Sequence, residues 1–281
     1  ALDEQGHLVG FSQAVHAPWL PPGKFRVIIN VDHAKHGQGI GSLLYNALQQ
    51  FAEAHSASLL ESDVREDHYL SIRFAKRRGF TIHRHLFEAT LDLARFNETR
   101  FQGVIEQVEA SGIRFYSLAE LGEKLGDIVA AQKQLYEHTL RYVIDIPGSK
   151  EETLPPFEQM RKALYLSPGF PAEVQTIAVD GEKLVGSAQL LYYSANTSMY
   201  NGGSGVERAY RGRHIALALK LLAIRRAHRY GAVHLRTHND SENAAMLALN
   251  RKLGYVPQPG LYTMQSTLTE NTEEMRSSVE Q

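Results

Sequence analysis

Two short stretches of the chain hold residue types that could do chemistry on a phosphate. His36-Gly-Gln-Gly-Ile-Gly41 sets three glycines at alternate positions between the apolar run FRVIINV and the helix-like run SLLYNALQQFAEA. Arg211-Gly-Arg-His-Ile-Ala216 has the same setting, between SMYNGGSGV and LALKLLAIRRAHR. At a helix start, free N–H groups and the positive end of the helix dipole converge, and glycine lets a ligand approach the backbone. Glycines between strand and helix are also ordinary turn chemistry. The meaning of both loops therefore depends on what surrounds them.

The surroundings occur twice. Val31 through Gly79 lines up with Val206 through Gly254 at one constant offset, without a gap, and the aromatics Phe80 and Tyr255 follow in register. Val31, Ala34, Gly37, Ile40, Leu44, Ala52, Ala57 and Leu60 all recur. Upstream, HLVGFSQAV pairs with KLVGSAQLL, shifted by one residue more. Each copy reads as hairpin, strand, loop, helix, strand, helix and a Gly-aromatic stop. Asp180-Gly181 is a favoured two-residue hairpin turn. Leu44, Leu48 and Phe51, or Leu219, Leu222 and Ala223, fall on one helical face. HLFEATLDL and LYTMQSTL read as closing strands.

The second copy has a preamble over 113–179 that the first lacks: a strand IRFYSL, a helical stretch from residue 118 and a strand AEVQTIAV. Ser117 and Glu120 have capping-box spacing at that helix start. These boundaries predict an N-terminal domain over 1–94, a connector over 95–112, a complete second domain over 113–268 and a polar tail over 269–281. By the same comparison, about 60 residues of strand and helix are expected upstream of the first copy.

Composition narrows the classes. The 281 residues suffice for two ordinary domains, and 43% apolar with 22% charged residues is an ordinary globular balance. No apolar stretch approaches the ~20 residues of a membrane span. A net charge of −1 supplies no basic field for nucleic acid, and the absence of cysteine removes disulfides, zinc thiolates and a cysteine nucleophile. A cytoplasmic protein fits that cysteine usage.

Strand, R/Q-x-x-G-x-G/A, helix, strand and an Asn-rich helix ending in Gly-aromatic resembles the GNAT superfamily of acyl-CoA N-acyltransferases. RGRHIA and NDSENAAMLALNRKLGY carry the resemblance in the second copy; HGQGIG and RFAKRRGF carry it more loosely in the first. Two copies in one chain are similar to the tandem members, mycothiol synthase-like in architecture. The resemblance implies an α/β (α+β) fold of two tandem units, each a mixed, mostly antiparallel sheet flanked by helices. It implies acetyl-CoA as cosubstrate. The backbone of Arg211, Gly212, Arg213, His214, Ile215 and Ala216 would hold the pyrophosphate, and Gly205, Val206 and Glu207 the pantetheine arm. Asn239 and Asn243 would border the thiol. In the first copy the matching positions are Val31, His36, Gly37, Gly39 and Gly41.

The departures matter. His36 stands where an arginine is usual, and His214 stands at the middle glycine position, where it either narrows the cradle or donates to a phosphate. The family often places a tyrosine four residues before the last glycine, as the acid for the leaving thiolate. Here those positions are Ala75 and Asn250, so the proton comes from another tyrosine, from water or from nothing.

Acyl transfer to an amine needs a neutral amine, a thioester carbonyl polarised by a fixed N–H, and a proton for the thiolate. Glu207, His234 and His238 are candidate bases, each also readable as a surface or packing residue. Tyr255 and Tyr262 are candidate acids, with Tyr255 read first as packing by analogy with Phe80. The expected catalytic set is Glu207, His238 and Tyr262. The basic run RGRHIALALKLLAIRRAHR alternates arginines with apolar residues at helical spacing, which reads as a solvated face and not a nucleic-acid helix. A dinucleotide fold is disfavoured because a hairpin precedes the loop and no ribose-binding acid follows.

Two function classes follow. One is an N-acyltransferase moving acetyl from acetyl-CoA to an amine of a small molecule or peptide, with no nucleic-acid, membrane or metal partner. The other is a non-catalytic acyl-CoA-binding or scaffolding protein. The second copy is favoured for productive binding, because the first has lost the arginine and has Val64 and His68 at the asparagine positions. The acceptor would meet loops over 16–24, 145–171 and 192–203.

Overall fold

The computed structural model describes residues 1–17, 20–147 and 154–268. The polar tail, and parts of two acceptor loops at 18–19 and 148–153, lie outside them. The chain divides into two compact units, one of Ala1–His85 with the described residues from Gly260, the other of Leu86–Pro259.

In the first unit, β1 (Gly10–Val15) and β2 (Lys24–Val31) form an antiparallel ladder with Gly10 opposite Val31. Phe25 and Val27 of β2 pack in one core with Leu48 and Ala52 of α1 (Ile40–Ala54). Phe51, expected on that face, is exposed and stacks on His55 instead. β3 (Leu59–Arg65) runs parallel to β2, and α2 (Tyr69–Lys76) and β4 (Thr81–Asp92) follow. Only the first part of β4, up to His85, belongs to this unit.

The second unit opens with the rest of β4 and includes α3 (Val104–Ala110) of the connector. β5 (Ile113–Ser117) leads into α4 (Leu118–Leu125), whose capping box between Ser117 and Glu120 is formed as the spacing predicts. Then come α5 (Ile128–Val143), and α6 (Phe157–Met160) continued by a π-helical turn through Tyr165. β6 (Thr176–Asp180), β7 (Lys183–Tyr193) and β8 (Ser198–Val206) extend an antiparallel sheet from β5. Asp180 pairs with Lys183, so the hairpin turn is Gly181-Glu182, one residue later than expected, with Gly181 at φ +59°. α7 (Ile215–Arg229), β9 (His234–Asp240), α8 (Ala244–Leu253) and β10 (Val256–Thr267) complete the chain.

The repeat is structural as well as sequential. α1 and α7 start at Ile40 and Ile215, β3 and β9 at Leu59 and His234, and α2 and α8 at Tyr69 and Ala244, all at the offset of the sequence match. Both units have mixed, mostly antiparallel sheets flanked by helices. Their closing strands, however, are exchanged. Leu86–Asp92 of β4 pairs antiparallel with β9 of the second unit, while Leu261–Thr267 of β10 pairs antiparallel with β3 of the first. Each unit thus takes its last strand from the other repeat.

Candidate functional site

Both loops adopt the same backbone. In the first repeat, Gly37 and Gly39 have φ +79° and +83°; in the second, Gly212 and His214 have φ +77° and +59°. A left-handed residue just before a helix directs the chain into its first turn. Histidine tolerates this region better than β-branched residues do, so His214 keeps the geometry that Gly39 gives. Neither α1 nor α7 has a side-chain cap, and their first-turn N–H groups face outward with the positive end of the dipole.

The first residue of each loop also does the same thing. Arg211 Nε donates to the Val206 carbonyl at 3.1 Å, and His36 Nε2 lies 3.0 Å from the Val31 carbonyl. Arg211 has a further partner: its Nη2 lies 2.5 Å from Asp145 Oδ2, and Arg208 grips the same carboxylate. Hydrogen bonds from these two arginines hold the Asp145 carboxyl down to about 2.

Upstream of each loop, two parallel strands part. β2 pairs with β3 only through Lys24–Arg26, and β8 pairs with β9 only through Ser198–Tyr200. Beyond Tyr200 the ladder with β9 ends, and Thr237 of β9 reaches back only with its hydroxyl, which donates to the Asn201 carbonyl at 3.1 Å. The copies differ at this point. In β8, Gln189 pairs with Gly203 and Leu190 with Asn201, so Gly202 is an extra residue outside the ladder. Such a bulge leaves its peptide group free of a strand partner. The β1–β2 ladder runs without a shift.

Side chains alternate across β9, and each face of the parting carries a different set. On one face, His238 Nε2 lies 3.5 Å from Glu88 Oε2, and Arg236 also binds Glu88. The Tyr200 ring packs 5.7 Å from that of His238. Glu88 arrives on the exchanged strand, directly opposite His238. On the other face, Asn239 Oδ1 accepts from Asn250 Nδ2, and Asn250 Oδ1 accepts from Lys220 Nζ at 2.8 Å. Lys220 also donates to Asn201 Oδ1 at 2.9 Å.

Behind β8, Tyr142 of α5 lies flat on Gly205. A Cβ there would sit 2.2 Å from the ring, so only glycine fits. His138, fully buried, has Nε2 3.3 Å from the Gly205 carbonyl, while its Nδ1 has no partner among the described residues. Burial pushes this imidazole down to about 4, so it is neutral.

The structure brings together Gly205, Val206, Glu207, the 211–216 loop, His238 and Asn239 in the second unit. Glu207 carries a hydrogen bond from Lys183 at 2.5 Å and one from Arg141 at 2.7 Å. Burial raises its carboxyl, but these two cations outweigh that and hold it below the usual range. Asn243 caps α8 through Met246 N at 3.3 Å. Tyr255 is buried in the core, as read from Phe80. Tyr262 lies in the first unit, opposite Val64 and with its ring 4.7 Å from His85. Sequence reasoning missed Glu88, Asp145 and Lys220. Among the described residues, no helix is long and apolar enough to cross a membrane.

The model of the family described as Acetyltransferase (GNAT) family matches residues 1–80 and 137–255. Among solved structures, a GCN5-related N-acetyltransferase from Sphaerobacter thermophilus is similar at TM-score 0.69 and 16% identity, over 95% of this chain and 79% of that one. A tandem GNAT protein from the clavulanic acid biosynthesis pathway is similar at TM-score 0.67 and 18% identity, over 96% and 82%. The C-terminal domain of a lysylphosphatidylglycerol synthetase from Agrobacterium fabrum is similar at TM-score 0.52 and 9% identity, over 100% and 86%. At these identities the likeness is one of fold. A search of curated proteins found no match.

Proposed function

The chain belongs to the acetyltransferase (GNAT) family, and we propose that its second repeat transfers an acetyl group from acetyl-CoA to an amine of a small molecule or peptide. The observation that carries this reading is the parting of β8 from β9 after Tyr200 and Arg236, with the open start of α7 at its far end. The residues there fit acyl-CoA. The uncapped turn after Arg211 offers N–H groups to a pyrophosphate, and a Cβ added at Gly212 would meet nothing. The edge from Gly202 to Val206, outside the β9 ladder, suits the amides of a pantetheine arm.

Acetyl-CoA supplies an activated acyl carbon with a thiolate leaving group. The protein's part is to orient and to handle protons. Gly202, outside the ladder, is suited to polarise the thioester carbonyl through its peptide N–H. His238, oriented by Glu88, is placed to take a proton from the acceptor amine, which is the logic of a base fixed by a carboxylate. Glu207, with two cations on it, is the weaker base of the two.

The first repeat supports a non-catalytic role. It has no bulge in its ladder, and Val64 and Ala75 replace Asn239 and Asn250. Incubating the protein with acetyl-CoA and a panel of primary amines, and following free thiol release, tests the proposal. Amine-dependent release supports it; tight binding of acetyl-CoA without release from any amine points to a binding protein.

A further inference from the structure

Four positions around the strand parting differ in character between the repeats. In the first they are Val27, which stands opposite Ala14 as Asn201 stands opposite the matching Leu190, with Tyr45, Val64 and Ala75, and all four belong to the apolar core of that unit. In the second they are Asn201, Lys220, Asn239 and Asn250, joined by hydrogen bonds. The same fold in the same chain is therefore built without amides or a cation at these sites, Tyr45 carrying the one hydroxyl. Burying a lysine and two amides, with a third amide half-buried beside them, costs more than burying apolar side chains of like size. A cost that the fold does not require points to use.

The direction of the network is fixed by its donor-only end. In its charged form Lys220 donates and does not accept, and Asn250 turns Oδ1 towards it. Its Nδ2 then faces Asn239, whose Oδ1 accepts. What remains at the outer end is Asn239 Nδ2, which has no partner among the described residues and belongs to a half-buried side chain. Asn201 is fully used: its Oδ1 takes Lys220 and its Nδ2 donates to the Gln189 carbonyl at 2.9 Å and the Gly203 carbonyl at 3.3 Å. Lys220 is 3% exposed, and among the described residues no carboxylate pairs with it. The titratable side chain packed on Nζ is Tyr255, with its ring centre 5.3 Å away. Burial alone pushes the Lys220 ammonium down to about 7, which makes it ready to gain from an anion nearby. Each donor in such a chain polarises the next.

We propose that Lys220, Asn250 and Asn239 form a charge-backed donor chain that stabilises the departing thiolate of CoA, in place of a tyrosine acid. This rests on the acyl-CoA reading of the second repeat. In the step concerned, the amine nitrogen bonds to the acyl carbon, and the C–S electron pair passes to sulfur. The amine proton goes to His238, while Asn239 Nδ2 donates to the sulfur, which takes a proton from water after leaving the site. Lys220 and Asn250 act through Asn239 and are positioning residues.

The test is the titration of the thiol of bound CoA, followed by thiolate ultraviolet absorption from pH 6 to 9.5, with free CoA measured in parallel. The wild-type complex is expected to hold the thiol at least tenfold more acidic than free CoA. Lys220→Met and Asn239→Val should bring it back to the free value. Asn239→Val copies the first repeat at a half-buried site, which keeps the test independent of any folding defect in Lys220→Met. Desulfo-CoA should bind wild type and Asn239→Val equally. A bound thiol that titrates like free CoA in wild type, or identically in wild type and Asn239→Val, overturns the donor chain while leaving the acyl-CoA reading intact. Failure of wild type to bind CoA at all overturns that reading, and the donor chain with it.

Discussion

His238 and Glu88 come from different repeats, yet Nε2 of one lies 3.5 Å from Oε2 of the other within the second unit. The exchanged strand makes this contact, because Glu88 is the residue of β4 directly opposite His238. Neither repeat alone contains the pair. If His238 is the base, His238→Gln should lower the rate of acetyl transfer by about 100-fold or more without changing acetyl-CoA affinity. Glu88→Gln should give a smaller loss by releasing the ring. Steady-state kinetics on the best amine of the panel measures both, and a His238→Gln enzyme at wild-type rate removes the imidazole from the chemistry.

His138 makes stability depend on pH in a defined window. Its folded-state value of about 4 lies below the ordinary 6.5, so between these limits the unfolded chain binds the proton and the folded chain does not. Stability therefore falls as pH drops from 6.5 towards 4, by about 1.4 kcal/mol per pH unit from this group. Above 6.5 the contribution is flat. Denaturant unfolding of wild type and His138→Leu across this range should show the extra slope only in wild type; parallel curves would mean that the buried imidazole is charged.

His214 holds a left-handed backbone that glycine adopts at no steric cost. Among L residues this region costs about 1 kcal/mol. His214→Gly copies Gly39 and should raise the unfolding free energy by up to about 1 kcal/mol. A destabilised His214→Gly protein would show that the exposed ring makes a contact which offsets the strain.

The repeat, both loops, their helices and the hairpins were legible because glycines, apolar spacing and caps are local signals. Ser117 and Glu120 formed the box their spacing predicts. The strand exchange was not legible: the closing strands read the same whichever β3-type neighbour they choose. Pairing across the sheet is set by long-range register, which local pattern does not carry. Glu88 was missed for that reason. Asp145 was missed because it meets Arg208 and Arg211 only in the folded chain. Lys220 sits in a basic amphipathic run and resembles a solvated cation there; the signal was its alignment with Tyr45, together with Asn250 against Ala75. Gly202 was hidden because the second hairpin's connection is two residues shorter, 11 from Leu190 to Asn201 against 13 from Ala14 to Val27, which masks the residue that the bulge adds.

The central claim is that the second repeat binds acetyl-CoA, with Arg211 beside the pyrophosphate. A charge-assisted bond contributes roughly 1.5–3 kcal/mol. Calorimetric titration of acetyl-CoA into wild type, Arg211→Glu and His36→Glu tests this most directly. Arg211→Glu should weaken binding at least tenfold, since about 1.4 kcal/mol is a factor of ten, and His36→Glu should change it far less. Abolition of binding by His36→Glu, with Arg211→Glu unaffected, would assign the cofactor to the first repeat and contradict the account.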